Sequence, residues 1–480
     1  MASGLPDYVA SATPIPQENR APWYKNTAQT YAGIMLWFVF WSAVPVGDRA
    51  VGGPISTFAG GTLAQGLGVG FLALIAAALA CHFLFYLVPG LLGMKTGLPL
   101  YIVGTSTYGV QGGFLMPGFL MGLLQLGWVA VNAFFAAVLL CAPFGYAFPS
   151  IPHAVVAALW ASVGMFIGLK GIKYVARVAT FLPLVPLAIL IVLLASTIGG
   201  LGAFDSEALV KTCQTAAPAS KGALTTFGVF ALLMTYVVGF FATAGAAGAD
   251  FGMNNRDGRD VQLGGLVGIA LATVFAGGVA MLVVAGAYGS GTAGTEKGIM
   301  DPTALMNGIL GTKAGAVCMW LLALAAFPTV CISSFIAANC FKTTLPKVNP
   351  LVSCGIGVTV SIVLAVTGWA GDVMAVFSII GASFGPVCGA MMGDYLLAGR
   401  KWAGPRSGWN LAGWISWVIG FAVGAVEFIA KIPGFEALAG NIPCPPVAAF
   451  IVGLVLYTIL AKMGLESKTL EMPDTVSGAS

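Results

Sequence analysis

Twelve times the chain returns to an apolar run about as long as a bilayer is thick: 30–53, 66–92, 113–142, 153–174, 178–199, 223–248, 261–289, 304–341, 349–368, 372–397, 409–430 and 445–463. A helix needs about 20 apolar residues to cross the hydrocarbon. Backbone inside it must satisfy its own hydrogen bonds. These constraints predict an all-α polytopic membrane protein with twelve transmembrane helices. Composition agrees: 8% of the 480 residues are charged and 58% are hydrophobic. A soluble domain carries about a quarter charged residues, so this chain lacks the polar surface for a water-soluble fold of its length.

The runs divide the chain into an N-terminal tail (1–29), five spans (30–199), a loop (200–222), five more spans (223–397), two additional spans (398–463) and a C-terminal tail (464–480). The tail after Lys462 is short and polar and is expected to be disordered. No secretory signal is read at the N-terminus. With the N-terminus placed in the cytoplasm, fifteen of the 21 Lys and Arg fall on that side and six on the other. This positive-inside bias predicts both termini on the cytoplasmic side of a cell membrane. The nine cysteines show no metal-ligand spacing, and only Cys213 and Cys444 fall in expected loops, where they could bridge. His82 and His153 lie apart and read as packing or interfacial residues. No nucleophile–base pair or phosphate loop is present, which argues against an enzyme or an ATP-driven pump.

Glycine and proline clusters in two spans point to a site, because broken helices in a membrane are tolerated where they line a cavity. One is Trp41 to Pro54 and the other Val237 to Gly252, with Gly239, Gly245 and Gly248. They occupy the first and sixth spans, matching positions in two five-helix halves, as in inverted-repeat transporters. The competing reading is that these glycines only let helices pack closely. In LLQLGWVAVN, Gln125, Trp128 and Asn132 fall on one helical stripe. Phe240–Phe241 could supply a second aromatic wall, leaving a slot for a flat ring. Ser333 and Ser334 offer hydroxyls that suit a small cation; alternatively they bond back to the preceding helical turn.

The ordered set ENRAPWYKN, AGGTLAQGLG, QLGW, GFFATAGAAGADF, SSFIAAN and FGPVCGAMMGDYLL, spread over about residues 18–400, resembles the nucleobase–cation symporter family, the cytosine, purine and hydantoin permeases. The resemblance implies a leucine-transporter-like fold, a 5+5 inverted repeat with helices 1 and 6 broken and two C-terminal helices. It implies cation-coupled import of a planar nucleobase or related heterocycle by alternating access. Carried to this chain, it implies that Trp128 and Phe241 sandwich the ring and that Gln125 hydrogen-bonds its edge, with Phe240 and Thr243 also at the substrate site. Asn132 and Asn339 match positions near the ring in hydantoin-type members. Phe335 stands where relatives place an asparagine that touches the substrate, which makes the pocket less polar. Ser333 and Ser334 would hold sodium, with the carbonyls of Val330, Ala43 and Val46. Sodium leads as the coupling ion and no other cofactor is expected; Asp48–Arg49 and Asp250 keep a proton open. The expected setting is a monomer in a lipid bilayer without a nucleic-acid partner. The alternatives are a proton-coupled transporter of another small nitrogenous solute (an amino acid, amine or vitamin-like heterocycle) and a substrate sensor that does not transport.

Overall fold

A computed structural model describes residues 5–25, 58–170, 182, 184–216, 221–292, 301–345 and 347–472. The expected first span, with Ala43, Val46, Asp48 and Arg49, lies outside the described residues. Within them the protein is helical. We label the apolar helices α1 (Gly61–Thr96), α2 (Phe114–Phe144), α3 (Ile151–Lys170), α4 (Leu184–Ala203), α5 (Thr226–Ala246), α6 (Gly258–Gly289), α7 (Thr312–Thr344), α8 (Pro350–Val366), α9 (Val373–Leu397), α10 (Leu411–Gly424) and α11 (Pro445–Lys462). Helix starts are set by side chains that accept from free backbone N–H groups. Thr225 accepts from Gly228 N, Asn349 from Leu351 N and Asp372 from Ala375 N. Pro350 and Pro445 begin their helices, where the missing N–H costs nothing.

The helices form two groups. α5 packs on α1 and α9, and α9 packs on α10 and α11. Separately, α2 packs on α3, α7 and α8. α6 lies on α1 and α4. Between the groups the contact is thin, and Trp128, Phe135, Trp160 and Val376 pack against the buried cores of both.

Several expectations are corrected. The run 304–341 is not one span: Pro302–Leu310 and α7 are separate helices joined at Gly311, whose φ of 78° suits a residue without Cβ. The interruption expected within Val237–Gly252 falls at one place: α5 runs through Gly239 to Ala246, and the chain turns at Ala247 before a short helix, Gly248–Gly252. Gly239 and Gly245 lie inside the continuous part and serve close packing. A Cβ on Gly239 would lie 2.6 Å from the Phe377 carbonyl oxygen, and one on Gly245 2.7 Å from the Phe85 Cβ. The 200–222 loop carries a helix, Ser206–Ala216. No disulfide joins Cys213 and Cys444.

The start of the C-terminal tail is ordered, which a polar composition did not suggest. Leu470 N donates to Pro405 O (2.7 Å) and Ser467 N to Asn410 Oδ1 (3.1 Å). The reason is a buried polar cluster that needs the tail. Asp394, near the end of α9, accepts from Arg406 Nη1 (2.7 Å), Ser106 Oγ (2.5 Å) and Thr107 Oγ1 (3.2 Å). Arg406 Nη2 reaches Glu466 Oε1 in the tail (2.8 Å), and Tyr457 Oη lies within hydrogen-bond distance of both carboxylates. The N-terminal segment crosses the same face. Tyr8 donates to the Val110 carbonyl, Val110 N donates to Arg406 O, and Trp23 N donates to Asp260 Oδ1. Both described ends of the chain therefore meet at one face.

Removing one partner of a buried ion pair costs about 3–5 kcal/mol, because the other charge is left uncompensated. Asp394→Ala is expected to lower the melting temperature of the detergent-purified protein far more than Glu466→Gln, since Glu466 is 27% exposed. Equal, small shifts in a thermal melt would show that the cluster does not hold the helix ends.

Candidate functional site

The two helix groups approach most intimately around Trp128 of α2. Its indole Nε1 donates to Thr243 Oγ1 of α5 (3.2 Å). Its ring meets Phe240 edge-on, with centroids 4.6 Å apart at 63°, and Phe377 of α9 at 5.8 Å. Phe240 also packs edge-on against Phe377 at 5.3 Å, and Tyr236 meets Phe377 at 6.0 Å. The ring opposite Trp128 is thus Phe240, and not the Phe241 that the resemblance implied. Phe241 is buried behind it, 5.0 Å from Phe240. Phe377 and Tyr236 complete the cluster. Neither was singled out in the sequence, because each sits in an apolar run that offers no polar neighbour as a signal.

The stripe of α2 divides. Gln125 is buried, and its amide Nε2 contacts the Met121 thioether at 3.5 Å, a weak acceptor. Asn132 is committed elsewhere. Its Nδ2 donates to Ala326 O (3.0 Å) and Thr329 Oγ1 (2.7 Å), and its Oδ1 accepts from Trp160 Nε1 (2.9 Å). Asn132 therefore ties α2 to α7 and α3, while Trp128 faces α5 and α9. Phe335 and Asn339 are one turn apart on α7 and both are exposed.

The serines of α7 lie on a different face. Ser334 is fully buried and donates to Val330 O (2.7 Å), and Ser333 is half-buried. This hydroxyl and carbonyl are held against α3, where Gly168 has no Cβ to collide with Ser334 and Gly164 none to collide with Val330. The Ser334 bond to Val330 O is the bond to the preceding helical turn that the sequence offers as the alternative to a cation ligand. Ala43 and Val46, the remaining expected ligands, lie outside the described residues. Among the described residues no group of three His, Cys, Asp or Glu is placed to hold a metal ion.

Comparison with known proteins agrees with this architecture. Residues 24–453 match the family described as permease for cytosine/purines, uracil, thiamine, allantoin. The chain belongs to this family. It is 26% identical over 405 residues to the cytosine permeases of Escherichia coli K12 and O157:H7, covering 82% of each chain. Its fold is similar to the inward-facing conformation of Mhp1, with a TM-score of 0.70 at 14% identity, covering 100% of this chain and 98% of that one. It is also similar to Mhp1, a nucleobase–cation-symport-1 family transporter, in a closed conformation with bromovinylhydantoin bound (TM-score 0.60, 15% identity, 99% of each chain). A sodium-coupled sialic acid symporter matches at 0.54 and 16% identity, covering 97% and 93%. The protein is thus a multi-pass membrane permease of the leucine-transporter-like fold and not an enzyme.

In this permease the segment after α5 carries Asp250. Its carboxylate accepts from Leu100 N (3.0 Å), at the start of the short helix Leu100–Val103. Burial pushes the carboxyl up to about 6, and the Leu100 bond only partly opposes this. The unfolded carboxyl titrates near 3.8, so the folded state binds the proton more tightly. The stabilisation is complete below the unfolded value and is lost as pH rises through about 6. Thermal melts between pH 4 and 7 are expected to show this loss, and Asp250→Asn to flatten it. A pH profile identical in the variant would assign the dependence to other groups.

Proposed function

We propose that this permease imports a planar nucleobase or related heterocycle of purine, cytosine, uracil, hydantoin or allantoin type, coupled to a cation, with sodium preferred. The observation that carries the reading is the Trp128–Phe240–Phe377 cluster, held by Thr243 at the seam between two helix groups. An aromatic cluster split between two bodies opens when they separate. A flat ring entering beside Trp128 displaces Phe240 from the indole and takes over the stacking. Such stacking tolerates any base and contributes roughly 1–3 kcal/mol. Selectivity then rests on polar groups at the ring's edge. Gln125 suits that role, since an amide both donates and accepts and here meets only a thioether. Thr243 is freed for the ring when the indole moves. Phe241 backs the wall, and Phe335 and Asn339 line the accessible face of α7. Asn132 acts by holding α2 against α3 and α7 rather than by touching the ring.

The cation site is assigned to Ser333, Ser334 and the Val330 carbonyl, completed by the Ala43 and Val46 carbonyls. Transport proceeds by alternating access: α5 and α9 rock with their group against α2, α3, α7 and α8 while ion and substrate stabilise the same state. The matching resident state is a monomer in a cell membrane, with both termini in the cytoplasm as the basic loops require. A second reading, proton coupling, is favoured by Asp250, where burial pushes the carboxyl up to about 6 beside Leu100 N.

The deciding experiment is uptake of a labelled nucleobase panel into proteoliposomes with sodium and pH gradients imposed separately. Sodium-driven accumulation is expected, with Ser334→Ala abolishing the sodium dependence. Trp128→Ala is expected to weaken substrate binding roughly 5- to 150-fold. Asn132→Ala should lower the melting temperature, because it leaves Trp160 and Thr329 short of partners. Accumulation on a pH gradient alone would retire the sodium site in favour of Asp250. Specific binding of a base without accumulation would identify a sensor.

A further inference from the structure

A groove of about 710 Å³ runs along the outer side of the seam. One wall comes from Leu123 and Gly127 of α2 with Ile356 and Val360 of α8, and the other from Val376 and Ile379 of α9. Apart from Ser353, its lining side chains are apolar. The hydroxyl in it, on Ser353, is turned away to the Pro350 carbonyl (3.2 Å). Leu123, Ile356 and Val360 are 47%, 64% and 48% exposed. On helices that cross a bilayer, this surface faces hydrocarbon rather than water.

The two ends of the groove differ. At the end beside the α7–α8 turn, the lining residues Phe341, Leu345 and Val348 are interleaved with Lys342 and Lys347, both exposed. No acidic residue occurs between Asp301 and Asp372 to neutralise them. At the other end lies Trp369, 73% exposed, a residue type that favours the membrane interface. The groove thus joins an apolar surface to two exposed lysines at one end, neither of which is in an ion pair among the described residues.

We propose that this groove holds an acyl chain of an anionic phospholipid, with the phosphate beside Lys342 and Lys347. The apolar walls take the chain and the lysines select the headgroup, since each lysine near an anionic membrane surface favours binding by about fivefold. The position has a consequence that rests on the transporter reading. Val376 lines the groove and its neighbour Phe377 joins the aromatic cluster, so a chain between α9 and α2 sits in the same seam that substrate must open.

The test is native mass spectrometry of the delipidated full-length protein, titrated with phosphatidylglycerol or phosphatidylcholine of identical chains. Preferential retention of one phosphatidylglycerol is expected, with the preference falling about fivefold for each of Lys342→Gln and Lys347→Gln. Gly127→Leu fills the groove from within. A Cβ there meets no atom within 4 Å, so this variant is expected to melt like the parent while losing retention of both lipids. Val360→Trp blocks the groove from the exposed wall and serves the same purpose if Gly127→Leu does not fold. Retention unchanged in a folded blocking variant would overturn the proposal. So would equal retention of the two lipids, or a stable dimer that excludes lipid from this face. None of these readouts depends on uptake, so failure here leaves the transport reading standing, and failure of transport leaves the lipid site to be judged alone.

Discussion

Hydrocarbon offers no partner to a polar group, and that single property of the solvent orders most of what the described helices do. A polar atom left bare there costs several kcal/mol. The hydroxyls respond by donating to carbonyls one turn back on their own helices. Ser334 donates to Val330, Thr235 to Ala231, Ser383 to Ile379 and Ser416 to Ala412. Groups too large for that solution join helices instead, as Asn132 does with Trp160, Thr329 and Ala326. Gln125 stands out because a thioether is its hydrogen-bonding contact. It lies one turn from Trp128, whose own bond to Thr243 crosses the seam. A weakly bonded amide and a bond that crosses the seam thus lie together where the two bodies meet.

The same property explains the cluster at the opposite extreme of commitment. Asp394 and Arg406 are each less than 10% exposed, so neither is tolerable alone. Satisfying both requires Ser106 and Thr107 from the short helices after α1, Tyr457 from α11 and Glu466 from the tail. Residues 464–472 are ordered because a buried guanidinium needs them, not because of any propensity of their own. One ion pair thus fastens α9, α11, the turn before α2 and the C-terminal segment into one face.

How far the sequence could be read follows from these two facts. Apolar runs of bilayer length located the described spans closely, because length and hydropathy are local properties. α9 was expected over 372–397 and is Val373–Leu397; α11 was expected over 445–463 and is Pro445–Lys462. What failed was non-local. A glycine that lets Phe377 approach α5 looks, in sequence, the same as a glycine that breaks α5. A polar tail that completes a buried cluster looks like a polar tail that remains free. Within the site, Trp128 and the Phe240–Phe241 pair were legible because an indole among amides and a paired Phe break the monotony of apolar runs, but which of the two phenylalanines meets the indole was not. Phe377 was not, since only the packing of α9 on α5 brings it to the indole. Asp394 carried a usable signal that motif matching passed over. A carboxylate inside an apolar run must have a cationic partner, and Arg406 is close by in sequence.

The arrangement also bears on why the site should sit at a seam at all. Close packing inside each group makes it resist deformation, since small glycine contacts such as Gly239 on Phe377 leave no space to absorb movement. Motion is then confined to the surface where contacts are thin and side chains rather than backbones meet. A ligand acts on such a surface only through its difference in affinity for the closed and open forms. Under the proposed function Trp128 supplies that difference, because in the described form its ring and its N–H are both engaged, by Phe240 and by Thr243. Opening the seam exposes an aromatic face, an indole donor and a hydroxyl together. A flat heterocycle with hydrogen-bonding edges replaces all three interactions at once, whereas an aliphatic solute leaves the donor and the hydroxyl unpaired. The geometry of the closed seam thereby sets the chemistry of what can hold it open.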